Sequence, residues 1–184
     1  MATQADQRLL TADEFLRIIF QPDAKFELDD GVITGMAGGS RRHAVVQMNL
    51  YRWFGNALEG SPCQPYGSDM AIQTTWRSVR YPDLTIDCSG DDPNDELLVR
   101  DPRAVVEVLS PTTRREDGGR KLREYLALPG LKTVAILDPI DLSVRLCQRD
   151  ASGEWTDSGA VVGADLPVES LGLTMPNADI FRGL

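Results

Sequence analysis

The chain has 184 residues, 42% hydrophobic and 26% charged, a globular balance that excludes wholesale disorder. Lys plus Arg number 19 and Asp plus Glu 28, so the net charge of −9 excludes a uniformly basic coat for nucleic acid but leaves room for a local basic patch. No apolar stretch approaches the roughly 20 residues of a membrane span, and the polar segment Met1 to Arg8 lacks a signal core, so neither membrane insertion nor export is expected. This length predicts one domain over residues 1–184, with its core at roughly 10–180.

Thr11-Ala12-Asp13-Glu14 has the form of a capping box, and Phe15, Ile18 and Ile19 extend one helical face to about Phe20. Lys25–Leu28 and Val32–Met36 flank Asp29-Asp30-Gly31, which reads as a hairpin turn. Ser40 is a candidate cap for the clearest helix, Arg42 to Leu58, where Val46, Leu50, Trp53, Phe54 and Leu58 recur at helical spacing. Strands are predicted at Asp69–Thr75 and Val79–Cys88, followed by a solvated acidic loop holding Asp91, Asp92 and Asp95. Arg103–Leu109 reads as a buried strand, and Arg115–Leu128 as a second amphipathic helix closed by Pro129-Gly130. Thr133–Asp138, Leu142–Gln148 and Glu154–Val161 are further strands. This order predicts a mixed α/β or α+β sheet flanked by helices.

The cysteines, Cys63, Cys88 and Cys147, are odd in number and lack C-x-x-C spacing, which predicts neither a zinc site nor a disulfide and fits a reducing cytoplasm. A single histidine, His43, excludes zincins and two-His iron sites. Phosphate-loop, dinucleotide and nucleophile-elbow motifs are absent from the sequence.

Glu107 interrupts Ala104-Val105-Val106-Glu107-Val108-Leu109, a run otherwise apolar on both faces. Burying an unpaired carboxylate costs on the order of several kcal/mol. Glu107 is therefore either a structural partner of an arginine or a metal ligand or acid–base group. Asp83 opens the polar face of its strand after Tyr81-Pro82, and alone it reads as a strand-entry residue. If the two strands pair across the loop at 89–101, Asp83 and Glu107 come together, and a divalent cation such as Mg²⁺ or Mn²⁺ relieves their repulsion. Asp117, Lys121 and Tyr125 share a helix face, either as an exposed ion pair or as an amine leaning over the strand end. Glu27 is a hairpin surface residue or a further carboxylate of the same site. His43, near a helix start, is a cap or a ligand. Arg41, Arg42, Arg114, Arg115 and Arg120 cluster near these positions despite the overall charge, as a solvated face or a rim that contacts phosphates.

Tyr81-Pro82-Asp83, Val105-Val106-Glu107-Val108-Leu109-Ser110-Pro111-Thr112 and Asp117-x-x-x-Lys121-x-x-x-Tyr125 together resemble the Uma-type putative restriction endonuclease family of the PD-(D/E)xK nuclease superfamily. The resemblance extends through Phe26-Glu27-Leu28-x-x-Gly31, His43 and Val134–Pro139. It implies a restriction-endonuclease-like mixed sheet flanked by helices. It implies a Mg²⁺ or Mn²⁺ ion on Asp83, Glu107 and the Val108 carbonyl, with catalytic roles for Lys121, Glu27, His43 and Asp117. The superfamily lysine two residues after the glutamate is replaced here by Leu109, and the resemblance implies that Lys121 supplies the amine from the following helix. The expected activity is metal-dependent hydrolysis of a phosphodiester, most simply as a DNA endonuclease, in a cytoplasmic homodimer. The alternatives are a catalytically silent nuclease-like binding module and a hydrolase of another phosphate ester.

Overall fold

The computed structural model describes residues 8–21, 24–36, 38–90, 97–110 and 117–184, without the side chains of 117 and 118. The acidic loop residues Asp91, Asp92 and Asp95, the arginines Arg114 and Arg115, and the Asp117 carboxylate lie outside the described residues.

Thr11 caps α1 (Ala12–Leu16) with the reciprocal bonds of a capping box. The helix stops at Leu16, short of Phe20, whose ring turns back onto Phe15 and Phe26 with centroids 5.4 and 4.6 Å away. β1 (Phe26–Asp29) and β2 (Val32–Gly35) form the expected hairpin. Its turn is the pair Asp30 and Gly31, with φ of 47° and 86°, the left-handed geometry that matches strand twist. Ser40 caps α2 (Arg41–Ala57) by accepting the His43 N–H, and Val46, Leu50 and Phe54 face the core. Ser40→Ala is expected to cost about 1 kcal/mol, seen as a melting temperature roughly 2–4 °C lower in a calorimetric scan.

β3 (Gln64–Tyr66) went unpredicted because it is short and carries Pro65. β4 (Ile72–Thr75) pairs with β5 (Ser78–Arg80), but the strand predicted over Val79–Cys88 divides. Pro82 has no N–H to continue the ladder, so the chain leaves the first sheet at Tyr81 and enters a second as β6 (Leu84–Asp87). β7 (Pro102–Val108) follows. A π-helical turn, Asp117–Lys121, then runs into α3 (Leu122–Leu126) in place of a regular helix. β8 (Thr133–Asp138), β9 (Ser143–Arg149) and β10 (Trp155–Val162) come next. In the tail, β11 (Leu166–Val168) pairs with β12 (Leu173–Met175). The last helix, α4 (Asn177–Ile180), docks on α2, where the Asn49 amide donates to the Ile180 and Arg182 carbonyls at 3.0 and 2.9 Å.

The larger sheet has the order β10-β9-β8-β7-β6-β3, and the smaller one β2-β1-β5-β4. β7 and β8 run parallel, while β6–β7 and β8–β9 are antiparallel, so this is a mixed α+β fold as expected. Alternation along β7 sorts the two faces of the larger sheet. Ala104, Val106 and Val108 pack with Val46, Leu50 and Phe54 of α2. Val105 packs with Leu122 and Tyr125 of α3 and with Val134 and Ile136. Glu107 therefore takes the last position on the α3 face, and it is 6% exposed.

One cysteine expectation is corrected. Cys63 and Cys88 form a disulfide. The register Gln64↔Asp87, carried one residue further, sets the two cysteines opposite each other across β3 and β6. Their separation of 25 residues hides this pairing until those strands are neighbours. The bond also removes the cysteine argument for a reducing compartment. Cys147 is free and buried. Among the described residues no helix is long and apolar enough to cross a membrane.

Candidate active site

The antiparallel register pairs Leu84 with Val106, which leaves Asp83, the residue before β6, beside the end of β7 where Glu107 stands. The juxtaposition expected from the sequence is thus built by strand pairing. The two carboxylates, however, take partners from helices on opposite faces. Asp83 Oδ2 accepts the Val108 N–H at 2.8 Å. Its Oδ1 accepts from the Gln47 amide at 3.2 Å, and His43 Nε2 lies 3.1 Å from the carboxylate. An ionised carboxylate only accepts, which assigns the proton of that contact to His43 Nε2. His43 and Gln47 are one turn apart on α2, so a single helix face serves Asp83. Gly39 makes room for this arrangement: a Cβ there would meet the His43 ring at 2.6 Å.

Glu107 turns the other way. Its Oε1 accepts the Tyr125 hydroxyl at 2.6 Å and lies 3.9 Å from Lys121 Nζ. Lys121 ends the π-helical turn and Tyr125 is one turn on, so the i, i+4 face read from the sequence does lean over the strand end. The Lys121 side chain is 16% exposed, and its amine donates to Glu27 Oε1 at 3.0 Å. Glu27 comes from β1 of the smaller sheet and is 5% exposed, so it is a buried partner of Lys121 and no hairpin surface residue. It also accepts the Tyr81 N–H at 3.3 Å.

Arg80, at the end of β5, is 3% exposed and holds this cluster together. Its guanidinium donates to Glu124 at 2.8 and 2.9 Å, to Asp29 at 2.6 Å and to Glu27 at 3.4 Å. Thr74 donates to Glu124 from β4 at 2.7 Å. The arginine therefore answers Glu27, Asp29 and Glu124. Burial pushes the Glu124 carboxyl up, but the bonds from Arg80 and Thr74 outweigh it and hold the group below 4.5. Asp29 likewise ends below 3.8, because bonds from Arg80 and Arg120 exceed its burial cost. Burial, then the Glu107 charge, push the Tyr125 hydroxyl well above 10.0, so it stays a neutral donor.

Glu124, Asp29 and Gln47 were not assigned to the site from the sequence, and Arg80 counts there only as one of the basic residues near it. Gln47 carried a signal, its i+4 spacing from His43. Arg80 carried a weaker one, a cation in the strand just before Pro82. Of the candidate phosphate contacts, Arg41 is exposed and Arg42 donates to the Pro139 carbonyl at 3.1 Å. Arg120 is 55% exposed and pairs with Asp29. A cavity of about 590 Å³, walled by Arg103, Lys132, Arg149 and the disulfide, lies by the opposite end of β7 and shares no residue with this cluster.

The oxygens of Asp83 and Glu107 and the Val108 carbonyl are hard donors suited to Mg²⁺ or Mn²⁺. Among the described residues no group of three or more His, Cys, Asp and Glu side chains converges on one point.

Residues 12–177 match the profile of the Uma2 family, described as "Putative restriction endonuclease". The chain is 31% identical to the uncharacterised protein slr1290 of Synechocystis sp. (strain ATCC 27184 / PCC 6803 / Kazusa) over 95% of this chain and 93% of that one. It is 27% identical to the uncharacterised protein sll1609 of the same organism, over 84% and 89% of the two chains. Its fold is similar to the crystal structure of a putative nuclease belonging to DUF820 from Anabaena variabilis ATCC 29413, with a TM-score of 0.72 and 19% identity over 94% of this chain and 97% of that one. A match across most of its length makes this chain a member of the Uma2 restriction-endonuclease-like family.

Proposed function

We propose that the chain is a divalent-metal-dependent phosphodiester hydrolase that cuts DNA as an endonuclease. The observation that carries this is the Lys121 amine, turned inward to 3.0 Å from Glu27 and 3.9 Å from Glu107, on the strand end that Asp83 shares. Asp83, Glu107 and the Val108 carbonyl are the residues to hold the ion. Bound there, Mg²⁺ or Mn²⁺ supplies Lewis-acid stabilisation of phosphate charge and a water of lowered pKa. Lys121 sits beside two carboxylates. From there it orients the attacking water and stabilises charge on the phosphate oxygens. Hydrolysis adds hydroxyl to phosphorus and a proton to the leaving oxygen. Glu27 and Asp117 position the amine, and His43 with Gln47 orients Asp83.

Arg41, Arg42 and Arg120, with Arg114 and Arg115, form the rim for phosphates, and DNA binding weakens steeply with salt on a chain of net charge −9. A homodimer supplies two sites for two strands. The test is incubation of supercoiled plasmid with Mg²⁺ or Mn²⁺, with and without chelator, beside a panel of small phosphate esters. Nicked and linear DNA lost on chelation is the expected result. Turnover of small esters alone overturns the DNA assignment. Leu109, which stands where the superfamily lysine would be, favours a second reading, a silent DNA-binding module. That reading gains if plasmid is retarded on a gel but never cut.

A further inference from the structure

Tyr125 is 1% exposed, and its ring is enclosed with Val105, Leu122, Leu131, Val134 and Ile136. Its hydroxyl reaches Glu107 Oε1 at 2.6 Å, within the range of about 2.5–2.7 Å usual for a hydroxyl on a carboxylate. Lys121 approaches the same oxygen at 3.9 Å from the turn before. Glu107 has three side-chain torsions and could turn its carboxylate in several ways. Tyrosine has two, and packing on all sides locks both. The stiff partner therefore sets the flexible one.

We infer that Tyr125 is a positioning residue whose hydroxyl fixes the Glu107 carboxylate in the orientation that binds the divalent ion. This rests on the metal reading of Glu107 given above. A bond that only satisfied a buried hydroxyl would contribute to stability and leave ion binding alone. A bond that orients a ligand carries a further effect, typically about 10–100-fold in metal affinity when it is removed.

Tyr125→Phe deletes the hydroxyl and keeps the ring. The full-length protein is titrated with Mn²⁺ by calorimetry at fixed near-neutral pH, cold and in sucrose, so that a moderate loss of stability leaves the variant folded. The expected result is an Mn²⁺ affinity about 10–100-fold weaker. In cleavage assays the Mn²⁺ concentration for half-maximal rate should rise by a similar factor. In a Glu107→Gln background, Tyr125→Phe should change the affinity no further. An Mn²⁺ affinity within about twofold of wild type, with only the melting temperature lowered, overturns the positioning role and leaves the metal reading intact. Wild-type protein that binds no Mn²⁺, or Glu107→Gln that binds as wild type does, overturns the metal reading and this role with it.

Discussion

Replacing Lys121 by alanine is expected to slow plasmid cleavage by about 10²–10³-fold, the usual cost of removing one preorganised group that meets developing charge. Mn²⁺ binding and the fold should persist. Glu27 keeps the Arg80 guanidinium at 3.4 Å and the Tyr81 N–H at 3.3 Å after the amine is gone. Glu107 keeps the Tyr125 hydroxyl at 2.6 Å. Lys121→Arg should recover little, because a planar guanidinium cannot take the place of a compact ammonium between two carboxylates. Nicking rates at saturating Mn²⁺, with circular dichroism as the folding control, decide this. A Lys121→Ala rate within about threefold of wild type would remove the residue from the chemistry.

The largest stability effect belongs to Arg80→Met. Removing one partner of a buried charge network typically costs about 3–5 kcal/mol, because the charges left behind are unpaired. Here they are Glu27 and Glu124, with side chains 7% and 10% exposed. For a chain of this size the melting temperature should fall by roughly 6–20 °C near neutral pH. Acid titration gives the sign. Glu124 sits below its unfolded value of 4.5 and Asp29 below 3.8, so their stabilisation is complete above those values and is lost as pH falls through the folded ones. Arg80→Met removes the bonds that depress both groups. The gap between wild-type and variant stability should therefore narrow steadily below pH 4.5, as measured by urea denaturation at stepped pH. A gap that stays constant down to the acid transition would mean that Arg80 acts through packing alone.

The parts of this molecule that the sequence revealed are those set by local physics. The capping box at Thr11, the Asp30-Gly31 turn and the Ser40 cap each depend on residues within a few positions, and all three are present. The pairing of β6 with β7, which brings Asp83 to the strand end that carries Glu107, was legible because one loop joins these strands and antiparallel neighbours follow. What escaped is non-local. Arg80 meets acids that are 44, 51 and 53 residues away in the chain, and no periodicity reports such a meeting. The Cys63–Cys88 bond depends on a strand of three residues containing a proline, which patterning cannot show. The Val79–Cys88 run looked like one strand because apolar residues recur through both halves, yet they serve different sheets. Glu27 was ambiguous for the same reason: hairpin alternation gives its face but not the Lys121 that arrives from another element.

The most direct measurement is anomalous diffraction from crystals of the protein soaked in Mn²⁺. The expected result is a peak at the end of β7 within coordination distance of the Asp83 and Glu107 carboxylates and the Val108 carbonyl, with the Lys121 amine facing it. A peak held instead by Glu27, Asp29 and Glu124, or none at those two acids at saturating Mn²⁺, would contradict it.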